Sequence, residues 1–113
     1  MNIDEYSTQA ITTLTNSHAY GDVTPELMAQ VLGLVGESGE VAEKFKKIVR
    51  DKDGIISDED KAELVKELGD ILWYINAVSS LLGITLDEVA SRNLEKVLSR
   101  KARGTTHGSG DNR

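Results

Sequence analysis

Cysteine is absent from the 113 residues. That removes disulfides, thiol catalysis and thiolate metal sites, and leaves oxygen or imidazole as the donors for any metal. Proline occurs once, at Pro25, and aromatic residues make up only 4% of the chain. Strands of sandwiches and barrels draw on aromatic and β-branched residues, so this scarcity favours an all-helical fold. No apolar run approaches the roughly 18 residues that span a bilayer. Met1-Asn2-Ile3-Asp4-Glu5 places acids where a secretory signal carries bases. A cytoplasmic protein with no membrane partner is expected. The length and the 39% hydrophobic content suit one domain with one core.

The net charge of −6 divides unevenly. Residues 1–91 carry 7 Lys/Arg against 17 Asp/Glu, whereas residues 92–113 carry 6 against 2, giving −10 and +4. An acidic body does not suit a nucleic-acid polymer, whose phosphates demand a basic face. A short basic end suits a few phosphates of a small molecule.

Start signals bracket four helices. Asn2 with Glu5 reads as a cap for a first helix bearing Ile3, Tyr6, Ala10 and Leu14, fading near Tyr20-Gly21. Thr24-Pro25 places a cap before a proline at the first helical position. The apolar series Met28, Val31, Leu32, Val35, Ala42, Phe45 and Val49 follows, ending before Asp51-Lys52-Asp53-Gly54. Ser57 with Asp60 opens a third helix that stops at Gly83. Thr85-Leu86-Asp87-Glu88 has the form of a capping box for a fourth helix carrying Val89, Leu94, Val97 and Leu98. The third helix is apolar around much of its circumference, so one neighbour cannot cover it, and self-association is expected. Residues 105–113 read as a Gly/Ser-containing tail.

The sharpest pattern is Glu37-Ser38-Gly39-Glu40 on the second helix, matched by Glu67-Leu68-Gly69-Asp70 on the third. Three helical residues turn the chain by roughly 300°, so the carboxylates of each pair lie about 60° apart on one face. Two such helices packed antiparallel present four carboxylates to one small site. Between Val31 and Val41 the only charged residues are Glu37 and Glu40, which places these acids at the border of the apolar stripe. Carboxylates gathered there suffer desolvation and mutual repulsion, and a hard divalent cation offsets both. Magnesium fits best, with manganese as a substitute, since it bridges carboxylates to substrate phosphates. The glycines at 33, 36, 39 and 69 suggest close approach of helices or ligand.

Glu-x-x-Glu, 26 intervening residues and Glu-x-x-Asp resemble the signature of the all-α nucleoside triphosphate pyrophosphohydrolases, in their MazG-like branch. Gly36 to Glu43 and Glu67 to Tyr74 resemble that family's two metal-binding helices, and Asn93-Leu94-Glu95-Lys96 its phosphate-facing fourth helix. The ending Gly108-Ser109-Gly110-Asp111-Asn112-Arg113 is similar to that of many small bacterial and phage members. The resemblance implies a four-helix MazG-like bundle over residues 1–104 that completes its core as a homodimer or homotetramer. It implies cleavage of a nucleoside triphosphate to the monophosphate and pyrophosphate, with Glu37, Glu40, Glu67 and Asp70 on magnesium and Glu37 as the favoured general base. Asn93 and Lys96 would hold triphosphate oxygens, helped by Arg103 or Arg113 from the tail closing over the phosphates. Trp73 and Tyr74, three and four residues after Asp70, are candidates to contact the nucleotide.

Two other functions fit parts of the pattern: a non-catalytic acidic dimerisation adaptor, and a narrowly specific dUTP or dCTP pyrophosphatase of the same superfamily. Asp51-Lys52-Asp53-Gly54 is a turn rather than a calcium loop, because its glycine comes fourth instead of sixth. His18 and His107 stand alone, with no partner at ligand spacing.

Overall fold

Helices begin in this chain where a side-chain oxygen meets the unpaired N–H groups of a first turn. The computed structural model describes residues 1–15 and 18–113, and gives α1 (Ile3–Ile11), α2 (Pro25–Lys52), α3 (Asp58–Leu81) and α4 (Leu86–Arg103). All four expected caps are present, on Asn2, Thr24, Ser57 and Thr85. Asn2 and Ser57 form reciprocal capping boxes with Glu5 and Asp60, whereas Thr85 accepts from the Glu88 N–H without the return bond.

The first helix is shorter than its apolar spacing predicts. Thr12 and Thr13 turn their hydroxyls onto the carbonyls of Gln9 and Ala10, at 2.7 and 2.8 Å, and so satisfy the groups that a further turn would use. The part of the expected helix at residues 16–17 lies outside the described residues. In contrast, α2 runs past its expected stop to Lys52, because the residue that turns left-handed is Asp53, at φ 53°, followed by Gly54 at φ 76°. Lys52 then pairs with Asp60 at 2.7 Å across the turn, fixing the start of α3.

α2 and α3 form an antiparallel hairpin, with Lys52 near Asp60 at one end and Gly33 against Tyr74 towards the other. A Cβ at Gly33 would overlap the Tyr74 ring, so this glycine does permit close approach. Gly36, Gly39 and Gly69 face open space within the chain and have no such intrachain role. After Gly83, at φ 73°, α4 leaves α3 at 105°. Among the described residues no single helix is long and apolar enough to cross a membrane.

Among the described residues, the buried hydrophobic ones are Leu27, Ile48 and Leu64. Leu32, Val35, Val49, Leu68, Leu72, Leu94 and Leu98, on the stripes expected to form a core, are exposed. The radius of gyration is 20.0 Å, against about 13 Å for a compact chain of this length. No close approach joins α1 to another helix among the described residues. The sequence builds apolar helix faces that the single chain leaves uncovered.

Candidate metal and nucleotide site

The hairpin register brings three of the four signature acids together. One carboxylate oxygen each from Glu37 on α2 and from Glu67 and Asp70 on α3 lie within 4.8 Å of one another. Glu40 adds negative charge beside Glu37 but places no oxygen in that group. Oε2 of Glu37 and Oε2 of Glu67 are buried without a hydrogen-bond donor. As two ionised carboxylates they are unsatisfied; either a proton shared between them or a cation satisfies both.

The Glu37 carboxyl is accordingly pushed up to about 7 from 4.5, first by the hydrogen bond that its protonated form can make to Glu67, then by desolvation and by the charges of Glu40, Asp70 and Glu67. Folding therefore favours the protonated Glu37. Its contribution to stability is fully present below about pH 4.5 and is lost as pH rises through about 7. Thermal unfolding of the metal-free protein should show stability falling across that window, and Glu37→Gln should flatten the fall. An unchanged slope in the variant would assign the pH dependence to another group.

Lys44 was not singled out from sequence, yet its Nζ lies 3.8 Å from Glu67 Oε1. The signal was available, since Lys44 follows Glu37 by seven residues and Glu40 by four, on the same face of α2. Beside the acids opens a cleft of about 330 Å³ lined by Glu37, Asp70, Trp73 and Tyr74. Trp73 and Tyr74 meet edge to face, with ring centroids 5.1 Å apart. Trp73 remains 60% exposed, leaving its indole accessible to a planar ligand.

The expected phosphate-binding residues lie elsewhere in the chain. Asn93 and Lys96 are on α4, which diverges from α3. At 1.5 Å per residue and with 105° between the axes, Lys96 lies on the order of 20 Å from Asp70 of the same chain. Arg103 and Arg113 hold the tail: Arg103 donates to Ser99 Oγ and Arg113 O, and Arg113 donates to the carbonyls of Thr105, Thr106 and Gly110. Arg100 and Asp111 also enter this arrangement and were missed, although Arg100 stands one turn beyond Lys96 on the same face.

The donor set of Glu37, Glu67 and Asp70 is all oxygen, comes from two rigid helices and includes two buried oxygens without partners, which fits a hard divalent cation. The sequence profile of the MazG nucleotide pyrophosphohydrolase domain matches residues 24–104, spanning both acidic pairs and all of α4. The chain is also 54% identical over 82 residues to the Gene 37 protein of Mycobacterium phage L5, an overlap covering 73% of this chain and 72% of that one. No solved structure matches. With an all-α fold, the paired acids on adjacent helices and a profile match over most of its length, the chain belongs to the MazG family of nucleotide pyrophosphohydrolase domains.

Proposed function

We propose that this protein is a magnesium-dependent hydrolase that converts ribo- or deoxyribonucleoside triphosphates to monophosphates and pyrophosphate, controlling a nucleotide pool. The observation that carries this reading is the Glu37, Glu67 and Asp70 cluster, with its unsatisfied buried oxygens at the mouth of an aromatic-lined cleft. These three residues would hold magnesium, which supplies charge neutralisation and Lewis acidity at the phosphates. Glu40 completes the acidic rim. Glu37 is the carboxylate we assign to accept a proton from the attacking water. Trp73 and Tyr74 offer faces to the base or ribose.

The phosphate grip comes from a second copy of the chain. Lys96 and Asn93 cannot reach the acids of their own chain, while the exposed stripes of α2, α3 and α4 require a partner to bury them. A homodimer, or a homotetramer built from dimers, covers these stripes and brings α4 of one copy to the acids of another. Product analysis after incubation with triphosphates and magnesium tests the reading: monophosphate and pyrophosphate support it, and the absence of turnover with every canonical triphosphate contradicts it.

A further inference from the structure

Residues 105–113 lie beyond the family match yet are tied closely to α4. Arg100 donates from Nη2 to the carbonyls of Gly110 and Asp111, at 3.4 and 2.5 Å. Arg113 spreads its guanidinium over Thr105 O at 3.1 Å, Gly110 O at 2.6 Å and Thr106 O at 3.1 Å, while Arg103 reaches Arg113 O at 2.9 Å. This clasp delivers the Asp111 carboxylate to two cations, 3.4 Å from Lys96 Nζ and 3.6 Å from Arg100 Nη2.

The three partners differ in how firmly they are held. The Arg100 side chain is 8% exposed and fixed by the tail carbonyls, whereas that of Asp111 is 83% exposed. The acid can therefore swing into water with little loss of packing, and the tail backbone stays anchored when it does. Arg100 Nε is buried without a partner, a donor that Asp111 leaves unused. Lys96 and Arg100 stand one turn apart and repel each other unless an anion lies between them.

We propose that Asp111 is a tethered internal anion on the basic face of α4 formed by Lys96, the residue already assigned to the phosphate grip, and Arg100, and that a phosphoryl group of a nucleotide or of pyrophosphate binds there by displacing it. The choice of a phosphoryl ligand rests on the pyrophosphohydrolase reading; the exchange of one anion for another does not. A phosphoryl group carries more charge than a carboxylate and several oxygens that match the guanidinium fork. It displaces Asp111, whereas singly charged anions such as chloride or acetate compete poorly against a tethered carboxylate. The hydrogen bond from Lys96, with the charges of Lys96 and Arg100, holds the Asp111 carboxyl below the usual carboxylate range, so the internal anion persists at neutral pH.

Calorimetric titration of the full chain with inorganic pyrophosphate, without divalent metal and at fixed ionic strength, tests the exchange. Asp111→Asn removes the competing charge and should tighten pyrophosphate binding about tenfold, and adding Lys96→Met should abolish the gain. Binding by Asp111→Asn that is equal to or weaker than wild type overturns the proposal. A reading independent of how that variant folds comes from the wild type: pyrophosphate should move the Asp111 carboxyl carbon resonance towards that of a free aspartate while the Gly108 and Gly110 amides keep their positions. A static Asp111 resonance at saturation also overturns it. Neither measurement involves magnesium or turnover, so a chain without hydrolase activity can still pass, and an active one can fail.

Discussion

Asp70→Asn should lower turnover at least about a hundredfold, the scale expected when a charged group aimed at the reacting phosphates is removed, while leaving the helical content unchanged. Asp70 contributes one of the three oxygens within 4.8 Å, and asparagine keeps its shape without its charge. The metal-free variant should melt at or above the wild-type temperature, because Asp70 is one of the charges that make ionised Glu37 unfavourable. Steady-state pyrophosphate release and thermal unfolding, measured on the same preparation, check both parts. Near-normal turnover would remove Asp70 from the site; lost activity with a collapsed melting transition would assign it a structural role instead.

Mixing two inactive variants should restore activity. Lys96→Ala damages the phosphate grip and Asp70→Asn the acidic cluster, and in the proposed assembly each complete site takes these residues from different copies. After subunit exchange, about half of the dimers are mixed, and each mixed dimer has one intact site, so about a quarter of wild-type activity should return. The separation of Lys96 from its own Asp70, on the order of 20 Å along two diverging helices, is the basis for this expectation. A mixture no more active than the separate variants, with exchange verified by labelled subunits, would mean that each site is built within one chain.

How much of this was legible in the sequence depended on how local the physics was. The four helix starts were readable because Asn2, Thr24, Ser57 and Thr85 act on N–H groups two or three residues away. The end of α1 was not, because apolar spacing continues to Leu14 while the hydroxyls of Thr12 and Thr13 close the helix. The apolar stripes were identified, but periodicity states which face is apolar and not what covers it; most of that surface is exposed in the single chain.

The site divides along the same line. The i, i+3 spacing placed Glu67 and Asp70 on one face, and the hairpin register added Glu37 but left Glu40 at the rim. Lys44 stands on the α2 face of Glu37 and Glu40 by spacing alone, whereas its pairing with Glu67 required the register of α2 against α3. Asp111 required the tail to fold back fifteen positions onto Lys96, a contact that no local pattern encodes. Arg103 and Arg113, expected at phosphates because they are basic, are occupied by backbone carbonyls of the tail.

In the proposed function the Glu37, Glu67 and Asp70 cluster serves magnesium-dependent cleavage between the α- and β-phosphates of a nucleoside triphosphate. The most direct measurement is chromatographic separation of products after incubating the purified protein with each canonical ribo- and deoxyribonucleoside triphosphate, with magnesium and with a chelator. Monophosphate and pyrophosphate in equal amounts, formed with magnesium and absent with the chelator, are the predicted result. Diphosphate and inorganic phosphate as the products, or no product from any triphosphate, would contradict it.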